Sequence, residues 1–197
     1  MTTLTLGRVV SLRDYQDFAM SFAGIAKATA SWTWDGESRR VLVTVAGQGG
    51  EAVADDSALY ENLLKALRDH GDPFALVSLK SYRPATFKLQ LKVKVDPDYL
   101  DEAVLAQVDG ALRAAYDFEA RDFGQIVALS EVMSVIHAVA GVQAVDIDTL
   151  YRTTPPNSAP IAHARLIAQP PTLDMSGELL PAEILTIDPA PFGLEVM

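Results

Sequence analysis

Two hydrophobic periods follow one another between residues 11 and 34, first that of a helix and then that of a strand. Ser11 and Asp14 have the spacing of a capping box, which favours a helix start. The apolar positions of that helix recur three or four residues apart, at Leu12, Tyr15, Phe18, Ala19 and Phe22. Gly24 is expected to end the helix in a left-handed conformation. Every second residue is then apolar, at Ala28, Ala30, Trp32 and Trp34, which predicts a half-buried strand.

The same arrangement returns 117 positions later, so that Gly141 corresponds to Gly24. The helical stripe corresponds to Leu129, Val132, Val135, Ile136 and Val139, and the strand phase to Val145, Ile147, Thr149 and Tyr151. Only the cap differs, because Ala128 stands in the place of Ser11 and leaves Ser130 to cap a later start. With Val9–Val10 and Ile126–Val127 as leading strands, each copy predicts a strand–helix–strand unit, named repeat A.

A second pattern, named repeat B, lies between the two copies. Its strand is marked by Val41, Val43 and Val45, its helix by Leu59, Leu63, Ala66 and Leu67, and residues 74–79 form a further strand. The pattern returns at residue 87, where Phe87, Leu89, Leu91, Val93 and Val95 alternate with polar residues. Asp96 is then expected to cap a helix that has Pro97 at its first position. The apolar face of that helix is Leu100, Val104, Val108, Leu112 and Ala115.

The order A–B–B–A predicts an α+β fold, since paired βαβ units form a sheet with two helices on one face. We expect two small ferredoxin-like sandwiches in tandem, over residues 7–84 and 85–152, with the second permuted relative to the first. Residues 153–197 hold eight of the eleven prolines and no helical period. They predict an extended C-terminal arm, in which residues 163–168 and 182–187 can add to a sheet edge.

Composition narrows the function classes. The formal net charge is −10 and no segment is basic, which argues against nucleic-acid binding. There is no cysteine, so a disulfide framework and a thiolate metal site are excluded. The N-terminus lacks the pattern of a signal peptide, and no apolar run reaches the roughly 20 residues that span a bilayer. We therefore expect no membrane-spanning segment.

The candidate chemical motifs all favour a structural interpretation. Residues 46–50 form a glycine-rich loop after a strand, but the lysine and serine of a phosphate loop are absent. The kinase-like triplet at 122–124 has no catalytic loop beside it, and His70, His137 and His163 have no metal spacing. No catalytic, cofactor or metal residues are therefore predicted, and an enzyme is not expected.

Two pairs of residues are candidates for contacts with a partner. Trp32 and Trp34 share one face of a strand, which becomes a partner site if the helices leave it uncovered. Asp146 and Asp148 also share a strand face, and because Val145 and Ile147 take the inward phase, the two aspartates are expected to face water.

Three stretches resemble the C-terminal part of baseplate J-like proteins of contractile phage tails and phage-derived injection systems, in the baseplate assembly protein branch. They are residues 8–30, residues 116–148 with the phrase YDFEARDFG, and residues 180–189. Because members of the family are longer, the resemblance implies a fragment or the product of a split gene. It also implies assembly in the bacterial cytoplasm and a place in a phage tail or an injection particle.

The resemblance implies a structural wedge component that contacts other wedge subunits, the hub or spike, and proteins near the sheath. Self-association is left open, and so is the choice between a phage tail and a cellular injection particle. The main alternative is a regulatory module that binds a small molecule between paired α+β domains. A hydrolase that uses Asp146, Asp148 or a tail histidine is a third hypothesis.

Overall fold

The computed structural model describes residues 9–34, 38–154 and 160–197, and within these ranges the protein has the mixed α+β composition expected. The helices are α1 (Leu12–Met20), α2 (Ala58–His70), α3 (Asp101–Ala115) and α4 (Leu129–His137). The longer strands are β1 (Ile25–Trp34), β2 (Arg39–Gly47), β3 (Leu76–Ser81), β4 (Arg83–Val95) and, later in the chain, β6 (Val142–Arg152) and β10 (Glu183–Ile187). The short strands are β5 (Val127–Ala128), β7 (Arg165–Leu166), β8 (Thr172–Leu173), β9 (Leu179–Leu180) and β11 (Gly193–Val196).

The chain folds into two compact units. The first unit comprises Met1–Arg83 with Gln169–Glu183, and the second comprises Pro84–Ala168 with Ile184–Met197. The described part of the C-terminal region therefore contributes to both units. Both of the tail pieces expected to add to a sheet do form strands, since β7 pairs with β5 and β10 pairs with β4.

In the first unit, a three-stranded sheet has the order β1–β2–β3, with β1 antiparallel and β3 parallel to β2. One face of β2 packs against α1 and α2 through Val41, Val43 and Val45, all of which are fully buried. The opposite face is also covered, because Thr44 is fully buried and its Oγ1 accepts a hydrogen bond from the Ala182 amide (3.3 Å). The tail segment thus closes the side of the sheet that the helices leave free.

The start of α1 confirms the expected capping box. The Ser11 hydroxyl accepts from the Asp14 amide (3.1 Å), and the Asp14 carboxylate accepts from the Ser11 amide (2.8 Å). The leading strand predicted at Val9–Val10 is wrong, because these residues precede α1 without regular structure. The Val9 amide donates instead to the carbonyl of His70 (2.9 Å), at the end of α2.

In the second unit, β4 is the central strand, and β6 pairs with it in antiparallel orientation from Phe87 to Val95. Strand β11 runs parallel to β4 beside Gln90 to Val93. The core lies between this sheet and the helices α3 and α4, and its fully buried members include Phe87, Leu89, Val93, Val108, Leu112, Val132 and Ile136. The alternation of apolar residues along β4 therefore marks its buried face, as expected.

Two expected helix caps in the second unit are wrong. Helix α3 begins at Asp101 rather than after Asp96, because the Asp96 side chain accepts from the Asp98 amide (3.0 Å) and its carbonyl accepts from the Tyr99 amide (2.9 Å). Residues 96–99 are thereby closed into a turn. Helix α4 begins before Ser130, because the Leu129 amide finds a partner in the Ala164 carbonyl (2.9 Å) and no side-chain cap is needed.

Candidate partner interface

The two tryptophans lie at the exposed end of β1. Trp32 is 45% exposed and Trp34 is 56% exposed, whereas Ala28 on the same face is 4% exposed. The helices therefore cover this face of β1 near Ala28 but leave it exposed at the C-terminal end of the strand. Two large aromatic side chains that remain half in water on a regular strand are typical of a site for another protein.

Neighbouring residues of β2 hold this aromatic surface in place. Trp32 stands opposite Val41, and Trp34 stands opposite Arg39. The guanidinium of Arg39 lies 4.2 Å from the centre of the Trp32 ring, which is a cation–π contact. Trp32, Trp34 and Arg39 thus form a surface that combines apolar area with one positive charge.

The two aspartates lie on the exposed face of β6 in the second unit. Asp146 stands opposite Lys92, and the Asp148 carboxylate lies 3.5 Å from the Lys92 ammonium. Both partners of that ion pair are about 40% exposed, at 43% and 41%, so it adds little stability. Asp148 also lies at a bulge, since the pairing passes from Gln90 opposite Thr149 to Leu91 opposite Ile147.

Among the residues that the structure describes, Asp146 and Asp148 have no neighbours with which they could bind a metal ion. Within the described residues, no group of three or more histidine or carboxylate side chains could hold a metal ion. His70 contacts the Ala66 carbonyl through Nδ1 (3.0 Å) and packs against the ring of Phe18. The candidate contact residues therefore lie on two surfaces, one in each unit.

Both repeat glycines follow the helix that precedes them at the same distance. Gly24 has φ of 96° and Gly141 has φ of 88°, and each lies three residues beyond the C-cap, Ser21 or Ala138. A Cβ atom at Gly24 would lie 3.1 Å from Leu59 Cδ2, and one at Gly141 would lie 2.7 Å from Tyr99 Cγ. Glycine is required at both positions by conformation, and at Gly141 also by space.

The glycine-rich loop folds as a short 3-10 turn over Gln48–Gly50, with φ of 62° at Gly49 and 83° at Gly50. Helix α2 begins only at Ala58 and is capped by the Ser57 side chain, which accepts from the Tyr60 amide (3.1 Å). Residues 51–57 thus separate the loop from the helix N-terminus that a phosphate site requires.

A buried arginine is the main feature that sequence reasoning missed. Arg121 is 1% exposed, and its Nη2 donates to the carbonyls of Gln125 (3.1 Å) and Ile126 (2.6 Å). Its Nη1 lies 3.6 Å from the Glu131 carboxylate, and its guanidinium lies 5.3 Å from the ring centre of Tyr116. Burial lowers the pKa of Arg121 and raises that of Tyr116. The sequence around Arg121 is rich in charged residues and so predicts an exposed segment. Burial of the arginine could not be expected from it, because arginine is almost never fully buried unless it is paired.

No helix in the described part of the chain has the length and apolar character needed to cross a membrane.

Two clefts lie in separate units. One, of about 390 Å³, is lined by Arg40, Arg68, Asp72 and residues 73–78. The other, of about 660 Å³, is lined by residues 100–103. Neither of these two clefts is lined by the tryptophans or the aspartates.

Comparison with known proteins relates the N-terminal segment of the first unit to one family. Residues 7–80 match the family described as the baseplate J-like central domain, which confirms the resemblance to baseplate J-like proteins. No curated protein has a matching sequence. The fold is similar to a chain in the cryo-EM structure of the anti-feeding prophage (AFP) baseplate, 6-fold symmetrised, with a TM-score of 0.62 and 16% sequence identity. That similarity covers 93% of this chain but only 38% of the other, so the protein spans well under half of the relative's length.

Proposed function

We propose that this protein, in which residues 7–80 match the baseplate J-like central domain family, is a structural component of a contractile tail or injection-particle baseplate. The family match carries this proposal. The fold likeness to an AFP baseplate chain supports it, because it extends over 93% of the chain. The role is one of assembly through protein contacts, without catalysis. No observation favours the alternative of a small-molecule regulatory module.

The partners in this proposal are the other subunits of a baseplate wedge, together with hub, spike or sheath-proximal proteins. The chain would be assembled in the bacterial cytoplasm and end in the baseplate of a phage or of an injection particle. Trp32 and Trp34 would contact one neighbour, and Asp146 and Asp148 another. The half-exposed state of both tryptophans supports this assignment, since aromatic residues dominate the binding energy of interfaces.

We further propose that the two units are permuted copies of one α+β scaffold, in the order A–B–B–A. Strand pairing supports this proposal. In the first unit Ala28 stands opposite Val45 and Ala30 opposite Val43, and in the second unit Val145 stands opposite Val93 and Ile147 opposite Leu91. A bulge falls at the same place in both copies, between Ile25 and Lys27 and between Val142 and Ala144. A β-bulge at the same position supports a common fold, because bulges are conserved within families and do not follow from a similar hydrophobic pattern.

The third strand of each unit has a different origin. Strand β3 runs parallel to β2 and follows α2 directly, with Leu79 beside Val43. In the second unit β11 takes the corresponding position, with Leu194 beside Leu91, although it comes from the C-terminal end of the sequence. The tail would therefore complete a copy that lacks its own third strand.

Deletion and complementation in the bacterium that makes the particle test the proposed function. We expect loss of assembled particles without this chain, and recovery with the wild-type chain, in electron micrographs of purified material. Trp32→Ala combined with Trp34→Ala should restore few particles, whereas Met175→Ala should restore them fully, because Met175 is an exposed hairpin residue outside the proposed contacts. Normal particles in the deletion strain would refute the proposed function.

A further inference from the structure

The outer edge of β1, which carries the tryptophans, corresponds to an edge that is occupied in the second unit. There, Leu150 of β6 forms a parallel bridge with Ala162. The Leu150 amide donates to the carbonyl of Ile161 (3.2 Å), and the His163 amide donates to the carbonyl of Leu150 (3.1 Å). Residues 161–163 thus extend the sheet of the second unit by a short parallel segment.

Strand pairing shows which residue of the first unit corresponds to Leu150. Leu150 stands opposite Leu89, and Trp32 stands opposite Val41. Val41 and Leu89 are equivalent, because they precede by two residues the equivalent pair Val43 and Leu91. The bulge at Asp148 adds one residue to β6, so Leu150 rather than Thr149 takes the place of Trp32.

The backbone of Trp32 faces outward in the same way. The Tyr82 amide, directly after β3, donates to the Val45 carbonyl (2.8 Å), so Val45 directs its backbone groups toward β3. In an antiparallel pair these directions alternate along the strand, so Val41 also points toward β3 and its partner Trp32 points away from β2. Within the described residues no strand lies on this outer edge of β1.

We propose that the outer edge of β1 accepts an extended segment of a neighbouring baseplate subunit, which runs parallel to β1 and bonds to the backbone of Trp32. The segment has apolar side chains that pack on the half-exposed rings of Trp32 and Trp34. It also has a carboxylate near Arg39, whose exposed guanidinium lies over the Trp32 ring. Residues 161–163 are the internal precedent for this β-strand addition. The inference rests on the proposed function, since the partner is another baseplate protein.

Two variants at position 32 distinguish the contribution of the side chain to binding from that of the backbone. Trp32→Ala removes the ring, and Trp32→Pro removes both the ring and the outward amide while leaving the bonds to β2 unaffected, as prolines on edge strands do. We expect Trp32→Ala to lower incorporation into particles about 30-fold and Trp32→Pro at least about 5-fold further. Thermal melting of both purified chains controls for folding. Equal incorporation of two folded variants would overturn the backbone bond.

Cross-linking identifies the partner without disturbing the tryptophans. The chain has no cysteine, so Thr29→Cys and Thr33→Cys each introduce one thiol on β1, and Gln107→Cys on the exposed face of α3 is the control. A short thiol-directed photo-cross-linker is attached, and purified particles are digested for mass spectrometry. We expect both β1 positions to link to one segment of one neighbouring subunit, with Thr33→Cys linked further toward its C-terminus.

Each other outcome is informative. The reverse order of linkage, a link between two copies of β1, or a link to residues 1–8 of the same chain would overturn the parallel partner strand. Particles that contain the chain but show no link from β1 would overturn the inference and leave the proposed function intact. Absence of the wild-type chain from particles would refute the proposed function itself, and the inference with it.

Discussion

The guanidinium of Arg121 lies 3.6 Å from the carboxylate of Glu131, although Arg121 is 1% exposed and the Glu131 side chain is 44% exposed. An ion pair whose acidic partner is half in water adds little stability, so Arg121 acts mainly through its other contacts. These are hydrogen bonds that it donates to the carbonyls of Gln125 and Ile126. The arginine thereby anchors the loop between α3 and α4.

Replacement of Arg121 should destabilise the protein far more than replacement of its acidic partner. Arg121→Met removes a buried charged donor that bonds to two carbonyls, and we expect the free energy of unfolding to fall by about 3 kcal/mol. Glu131→Gln should lower it by less than about 1 kcal/mol, because that carboxylate is half in water. Urea denaturation measures both. Similar losses for the two variants would show that the ion pair, rather than the carbonyl bonds, holds the loop.

The two repeat glycines should respond differently to alanine. Both have positive φ, so each substitution should cost about 1 kcal/mol in backbone strain. Gly141→Ala should cost more than Gly24→Ala, because its Cβ meets Tyr99 and Val104 within 2.9 Å whereas that of Gly24 meets a flexible Leu59 methyl at 3.1 Å.

Gly110→Ala is the matched control for the glycine pair. Gly110 lies within α3, and a Cβ added there would meet no atom within 4 Å, so alanine should stabilise the helix by roughly 0.5–1 kcal/mol. Thermal or urea unfolding of the three variants gives the order. Equal losses at Gly24 and Gly141 would refute the steric argument at the second site.

The tail strand β10 should be as important for stability as a core strand. Leu185 is fully buried in the core of the second unit, so Leu185→Ala should lower the free energy of unfolding by about 2–5 kcal/mol. Met175→Ala, on the exposed hairpin between β8 and β9, should change it by less than about 0.5 kcal/mol. If both variants unfold like the wild type, the tail adds no stability to the second unit.

The turn between β8 and β9 should lose order in acid. Asp174 accepts through one oxygen from the Ser176 hydroxyl (2.6 Å), the Ser176 amide (2.8 Å) and the Glu178 amide (2.8 Å). These bonds, the hydroxyl of Ser176 first, hold the pKa of Asp174 below the ordinary value of 3.8. A lowered pKa in the folded state means that the contribution to stability is complete above about pH 4 and is lost as pH falls through the folded pKa.

Carboxyl carbon NMR measures the Asp174 titration directly. The Asp174 resonance should titrate below 3.8, and protection of the Glu178 amide from hydrogen exchange should fall over the same pH interval. Asp174→Asn should remove the pH dependence of that protection. A midpoint at or above the ordinary aspartate value would contradict the bonding seen at this turn.

Periodicity predicts the parts of the fold whose side chains face one core. The helical stripe around Tyr15 and Ala19, and the alternation from Phe87 to Val95, coincide with α1 and β4 because burial on one face determines both patterns. The strand at Val9–Val10 is wrong because two valines do not determine whether a sheet edge is within reach. The Asp96 cap is wrong because an aspartate before a proline satisfies a local turn as readily as a helix start.

Periodicity could not predict which strands the tail pieces would pair with, or that Arg121 is buried. Strands β8 and β9 are each two residues long, which is too short for any period to appear. The pairing of Gly193–Val196 with β4 depends on an edge that is far away in sequence. Burial of Arg121 depends on carbonyls that only the folded loop brings together. For Trp32 and Trp34, the sequence predicts a partner site only if the helices leave their strand face uncovered. The structure shows that both side chains are exposed.

The path of the tail has a consequence for how this protein can be divided. Residues 169–183 belong to the first unit, although the chain has by then already traversed most of the second and returns to it at residue 184. No single cut therefore releases either unit whole. An expression fragment ending at residue 83 would expose the face of Leu42 and Thr44, and a graft of one unit into another protein would need two junctions. Recombination between such genes would have to exchange both segments together to keep either core closed.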